Sequence, residues 1–307
     1  MKQRILVLGA RNFLGRRVLA ALQNSGWAEP IAEHPAREWR ESLVGLHGIV
    51  NAASGSAKMI RSQARAAAGA ALAAGPEARL VHVSSMTVYG SLDRRVDETS
   101  ELLSDLGEYA SAQIDAERIV GSHANTVVLR PGCEYGPGCP QWSERIAHLL
   151  LARRLGDLGA AGDGWCNLTY IDDLVGGILK CLRQADLAGE TFNLGVRSPP
   201  TWNEYLVRFG IALRAVPVRR ITSRRLKLET QILSLPLKML EMAAHRLPRT
   251  GRFNMPALTP SLLRLCGQRI VLDVAKAQDV LGMLFTPLDE GLGKAAAPLR
   301  RESAIRR

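Results

Sequence analysis

The stretch "RILVLGARNFLGRRVLAALQNSG" (residues 4–26) decides how the chain is read. Residues 4–8 form a continuous apolar run, which suits a strand buried on both faces. A glycine closes it, and the apolar residues then change period: Phe13, Leu14, Val18, Leu19 and Leu22 form the stripe of an amphipathic helix. Strand, glycine turn and helix in this order make an anion-binding element. Gly9 permits a tight turn, Gly15 permits close helix–strand packing, and the first helical N–H groups with the helix dipole face a pyrophosphate. Asn12 stands between the two glycines and is expected at positive φ, where Asn is the next best residue. Its side chain narrows the approach to phosphate. Glu33, twenty-four positions after Gly9, reads either as a surface glutamate at a strand end or as the acceptor of hydrogen bonds from both hydroxyls of an adenosine ribose, which favours NAD. Arg11, inside the turn, favours NADP by pairing with a 2′-phosphate.

Outward from this unit, the pattern alternates. Strands are expected at 29–34 ("EPIAEH"), 48–54 ("GIVNAAS"), 79–85 ("RLVHVSS") and 125–132 ("NTVVLRPG"), with helices at 36–47, 62–74 and around Tyr109. Such alternation implies an α/β fold with a doubly wound parallel sheet. The second half reads as a helix over 142–156, a strand and helix over 166–184, a strand at 190–195 and a strand–helix pair at 269–282, with a mainly helical, basic region after Pro199.

Bulk properties agree with a globular protein of one large or two packed units: 307 residues, 47% hydrophobic and 22% charged. The five cysteines have no metal-ligand spacing and read as thiols of a reducing cytosol, so no metal is expected. No secretory leader or spanning segment is evident, and the expected location is cytoplasmic, with a peripheral membrane association through the basic region. The net charge is +11, and ten basic residues fall between Arg214 and Arg252 against Glu229 and Glu241. That stretch reads either as a solvated face or as a surface for anionic membrane; no nucleic-acid motif accompanies it. Within it, Ile232, Leu235, Met239 and Met242 form an apolar side that either packs on the protein's own core or lies on an anionic membrane, and Pro236 should divide the helix.

In "GEYASAQIDAERIV" (107–120), Tyr109 and Gln113 lie one helical turn apart and share a face. Several stretches together resemble the extended short-chain dehydrogenase/reductases, also called the NAD-dependent epimerase/dehydratase family. They are "LGARNFLG" (8–15), "VNAAS" (50–54), "VHVSSMTVYG" (81–90), "LRPGCEYGPG" (129–138), "YIDDLVGGI" (170–178), "GETFNLG" (189–195) and "VAKAQDVLGMLFTPLDEGL" (274–292), in the family's order. The C-terminal part bears a looser likeness to the 3β-hydroxysteroid dehydrogenase-like branch.

The resemblance implies an NAD(P)-binding Rossmann domain over 1–135 and 166–195, and a smaller, mainly helical substrate lobe over 136–165 and 196–307. It places NAD or NADP against Gly9, Arg11, Asn12, Phe13, Leu14, Gly15, Glu33, Ala52, Ala53 and Pro131. It makes Ser85 the group that binds the substrate oxygen and Tyr109 the general acid/base. The family's lysine, which holds the nicotinamide ribose and lowers the tyrosine pKa, is here Gln113, which carries no charge. Lys58 is expected as an exposed loop residue. The path from Glu33 to residue 48 is too short for the family's additional strand and its acidic adenine contact. The expected activity is oxidoreduction of a hydroxyl/carbonyl pair on a small, lipophilic substrate, reduction favoured, in a homodimer. The alternatives are nucleotide-sugar epimerisation or dehydration, and a dinucleotide-binding protein without catalysis.

Overall fold

The computed structural model describes residues 2–33, 43, 45–229 and 258–305. In chain order the elements are β1 (Gln3–Leu8), α1 (Phe13–Asn24), β2 (Ala28–Ala32), β3 (Leu46–Asn51), α2 (Ala57–Ala74), β4 (Arg79–Val83), β5 (Arg95–Val96), α3 (Glu108–Val120), β6 (Thr126–Pro131) and β7 (Cys133–Tyr135). They continue as α4 (Arg145–Leu151), β8 (Leu168–Tyr170), α5 (Ile171–Arg183), β9 (Thr191–Leu194), α6 (Trp202–Ala212), α7 (Ser223–Lys227), α8 (Pro260–Cys266), β10 (Val271–Leu272), α9 (Ala275–Leu281) and α10 (Leu288–Ile305). The expected helix over 36–47 falls largely outside the described residues, and β3 occupies its last two positions. The apolar side at Ile232, Leu235, Met239 and Met242, and the basic residues from Lys238 to Arg252, also lie outside them.

The chain divides into two compact units. The first comprises Met1–Gly132, Thr169–Arg197 and Leu272–Phe285; the second comprises Cys133–Leu168, Ser198–Val271 and Thr286–Arg307. The first is built on a six-stranded sheet of order β2-β1-β3-β4-β6-β9, parallel throughout. Alternation within β1 shows why the strands read as unbroken apolar runs. Ile5 and Val7 enter a core beneath α1, α5 and α9, with Val18, Leu22, Leu174, Ile178 and Leu281. Leu6 and Leu8 enter a second core beneath α2 and α3, with Ile60, Ala64, Ala67 and Ala116. Both faces are covered, so every position of a central strand is apolar.

The chain runs from β1 outward to β2 and then returns to the other side of β1 as β3. The strand order reverses at that point, and the crevice at the carboxyl ends of β1 and β3 is where such sheets take ligands. Beyond β2 there is no further strand among the described residues.

In the second unit, α6 starts on a capping box between Thr201 and Glu204. The rings of Trp142, Trp202, Tyr205 and Phe209 follow one another at centroid distances of 5.5–5.8 Å. Arg154 and Glu229 form a buried ion pair. All five cysteines are buried free thiols. No described helix is long and apolar enough to cross a membrane, and no described cluster of His, Cys, Asp or Glu has the makings of a metal site.

Candidate dinucleotide site

The turn after β1 is tight for a steric reason. Gly9 has φ 74°, and a Cβ there would stand 2.8 Å from the Ala52 carbonyl oxygen. A Cβ on Gly15 would collide with the Gly9 backbone, so α1 approaches the turn more closely than any side chain allows. Asn12 departs from its expected conformation. Its φ is −78°, in the extended region, so backbone strain does not explain the residue. It is the N-cap of α1: Oδ1 accepts from Gly15 N at 2.7 Å. Its Nδ2 donates to the Ala52 carbonyl at 2.6 Å and to Ser54 Oγ at 3.3 Å. The residue that replaces a glycine therefore ties the turn to the segment leaving β3.

Glu33, just past β2, closes the other side. Its Oε2 accepts from the Gly9 N–H at 2.9 Å, and its Oε1 accepts from Gln63 Nε2 at 3.0 Å. Between these groups lies an open cavity of about 400 Å³, lined by Gly9, Ala10, Arg11, Asn12, Glu33, Ala53, Ser54, Met59 and Gln63. Five of the ten expected cofactor residues line it: Gly9, Arg11, Asn12, Glu33 and Ala53. Ala52 contributes the carbonyl held by Asn12. Leu14 is a core residue, and Phe13 packs against the same core with the Arg17 guanidinium 5.0 Å from its ring centre. Phe13 and Leu14 can therefore offer a phosphate only their backbone N–H groups. Pro131 ends β6, away from the cavity lining. Ala10, Ser54, Met59 and Gln63 complete the lining and are not among the expected residues. Ser56 caps α2 by accepting from Met59 N, so the helix begins five residues before the expected start at Ser62. The extra turn brings Met59 to the cavity. Lys58 is exposed on that first helical turn rather than in a loop.

Tyr109 and Gln113 share one face of α3, as their spacing requires. Gln113 Nε2 donates to the Tyr109 hydroxyl at 3.0 Å. Tyr109 is 44% exposed and Gln113 only 3%, and Gln113 Oε1 is buried without a hydrogen-bond partner. Ser85 is half-buried and caps the short turn Met86–Tyr89, its Oγ accepting from Thr87 N at 3.3 Å. The structure thus pairs Tyr109 with Gln113 directly, while these two and Ser85 stand apart from the cavity lining.

A buried network that the sequence did not announce holds this region. One turn below Gln113, Glu117 accepts from Ser84 Oγ at 2.5 Å and takes two bonds from Arg130, at 3.0 and 2.7 Å. Arg130 donates onward to the Tyr89 hydroxyl at 3.0 Å, which donates to Asn193 Oδ1 at 2.6 Å. Burial opposes the Arg130 charge, but its bonds to Glu117 and the carboxylate's negative charge outweigh it and raise the pKa. On β4, His82 pairs through Nδ1 with Asn51 Nδ2 at 3.0 Å, and burial holds it down to about 4. The Glu117 bonds fix β6 and the residue after β4 to α3, the helix that carries Tyr109, and the His82 bond ties β4 to β3.

Known proteins agree with this architecture. The sequence model described as the NAD dependent epimerase/dehydratase family matches residues 51–195. An Escherichia coli K12 protein named "Uncharacterized protein YbjS" is 26% identical over 243 residues, spanning 74% of this chain and 68% of that protein. "Uncharacterized UDP-glucose epimerase YtcB" of Bacillus subtilis is 32% identical over 124 residues, 38% of each chain. Among solved structures, MoeE5 in complex with UDP-glucose and NAD is 20% identical, with TM-score 0.70 over 98% of this chain and 99% of that one. The human epimerase family protein SDR39U1 with NADPH is 18% identical, with TM-score 0.71 over 96% and 99%. At these identities the solved structures speak to the fold, which is the Rossmann-type α/β fold. Residues 51–195, which hold Ser85, Tyr109 and Gln113, match the model of the NAD-dependent epimerase/dehydratase family.

Proposed function

We propose that the chain is an NAD(P)-dependent oxidoreductase acting on the hydroxyl/carbonyl group of a small substrate. The observation that carries this reading is the cavity at the strand-order reversal, walled by a glycine turn that no side chain could enter and by a carboxylate bonded to that turn. These residues fit a dinucleotide. Glu33 would accept the adenosine ribose hydroxyls, and the N–H groups at the start of α1 would face the pyrophosphate. When bound, the nicotinamide supplies hydride chemistry.

The remaining roles belong to the chain. Tyr109 holds the proton exchanged with the substrate oxygen, and Ser85 orients that oxygen. Gln113 places an N–H on the Tyr109 oxygen. That donor stabilises a phenolate only through a neutral hydrogen bond, which is weaker than a neighbouring ammonium charge. Release of the phenolic proton is therefore the harder direction. Carbonyl reduction, in which Tyr109 starts protonated, is favoured over alcohol oxidation.

Nucleotide-sugar epimerisation is the second reading, supported by the family match and by relatives whose names record UDP-glucose. Loss of catalysis with retained dinucleotide binding is the third, and the missing charge at Gln113 favours it. Purified protein should be assayed for NAD(P)H consumption against a panel of carbonyl compounds and for interconversion of UDP-sugars. Turnover with carbonyls, abolished in Tyr109→Phe, supports the first reading. Sugar-nucleotide turnover alone supports the second. No turnover from protein that binds dinucleotide supports the third.

A further inference from the structure

Gln63 has a chemistry that packing does not account for. It lies on α2, thirty residues beyond Glu33, and its Nε2 donates to Glu33 Oε1 at 3.0 Å. Its own Oε1 is buried and has no hydrogen-bond partner. An orphaned buried acceptor costs about 1–3 kcal/mol, which offsets what the bond to Glu33 contributes to stability. What the amide supplies is its donor, and that donor goes to Glu33.

We propose that Gln63 is a positioning residue of the dinucleotide site which, by holding the Glu33 carboxylate, selects a ribose 2′-hydroxyl over a 2′-phosphate. The inference rests on the dinucleotide reading above. Glu33 has three rotatable side-chain bonds, and a single donor would leave its carboxylate plane free to turn. Here each oxygen has a donor from a different element: Gly9 N–H on Oε2 at 2.9 Å and Gln63 on Oε1. An ionised carboxylate has about four acceptor sites, so each oxygen keeps one for the vicinal hydroxyls of a ribose. A phosphate on the 2′ oxygen would instead bring like charge against a carboxylate unable to swing away. Arg11 lines the same cavity and is the cation that would welcome such a phosphate. The outcome is a contest between Glu33 and Arg11, and Gln63 decides it by keeping Glu33 in place.

The test is calorimetric titration of the full chain with NAD and with NADP, in the natural protein and in Gln63→Met, Gln63→Leu and Gln63→His. The natural protein should prefer NAD. Gln63→Met should reduce the NAD-to-NADP affinity ratio by about tenfold, the worth of a hydrogen bond to a charged group. Gln63→Leu, which removes the donor without adding charge, should reduce it too, and Gln63→His, which keeps a donor, should restore most of it. An unchanged ratio in folded Gln63→Met and Gln63→Leu, or a natural preference for NADP, overturns the inference while leaving the dinucleotide site in place. Folded natural protein that binds neither ligand overturns the dinucleotide reading itself.

Discussion

Replacing Gln113 by lysine puts a positive charge where the structure has a neutral donor 3.0 Å from the Tyr109 oxygen. A unit charge about 4 Å from a phenolate stabilises it by about 1 kcal/mol in water and about 4 kcal/mol at an effective dielectric near 20. Tyr109 is 44% exposed, so the screened end of that range applies. We take about 1–2 kcal/mol, which corresponds to roughly one pH unit. Gln113 is 3% exposed, so a lysine there is partly desolvated and its own pKa falls; the shift is read at pH values where it still carries its proton. The substitution also removes the orphaned Gln113 carbonyl, which offsets part of the cost of burying the ammonium. Titration of tyrosinate absorbance, taken as the difference between each protein and its Tyr109→Phe counterpart, reports the phenol without needing a substrate. Gln113→Lys should ionise about one unit lower, and any alkaline limb of turnover should move by the same amount. A titration that does not move in folded Gln113→Lys protein would refute the electrostatic role assigned to this position.

Three further outcomes follow from the same geometry. His82 has a usual pKa of 6.5 and a folded value of about 4, so the unfolded chain binds more protons between these values. Stability should therefore fall as pH drops through that window, by up to about 3 kcal/mol; denaturant titrations of His82→Gln should lack that limb, and an identical limb would refute the assignment. Arg130→Met leaves Glu117 buried without its partner and should cost about 3–5 kcal/mol in the same assay, so a cost below about 1 kcal/mol would show the pair to be dispensable. Gly15→Ala forces a Cβ into the Gly9 backbone and should cost about 1–3 kcal/mol in stability together with dinucleotide binding. Unaltered binding in that variant would show that α1 has room to move.

The sheet was legible because its strands are parallel and covered on both faces. Ile5, Leu6, Val7 and Leu8 serve two cores and read as one apolar run. Gly9 and Gly15 were legible because only a missing Cβ permits their contacts. Asn12 was read for the wrong reason: its place in a glycine pattern suggested positive φ, whereas capping and a tether to Ala52 explain it. Gln63 was not legible. Its partner is thirty positions away, and only the packing of α2 beside β2 and the turn after β1 brings the amide to Glu33. The Ser84–Glu117–Arg130 network was missed for the same reason. Tyr109 and Gln113 were legible as neighbours because helical spacing alone sets that contact.

The cavity behind Gly9 should take a dinucleotide. Calorimetric titration of the folded chain with NAD, NADH, NADP and NADPH, alongside Gly9→Val, tests it most directly. Gly9 holds φ 74° with the Ala52 carbonyl 2.8 Å from where a Cβ would sit, so valine closes the approach. At least one of the four ligands should bind with one site per chain, and at a hundred times its Kd should stabilise the fold by about 2.7 kcal/mol; Gly9→Val should lose both effects. Absence of binding by all four at millimolar concentration, or undiminished binding by folded Gly9→Val, would show that this cavity is not a dinucleotide site.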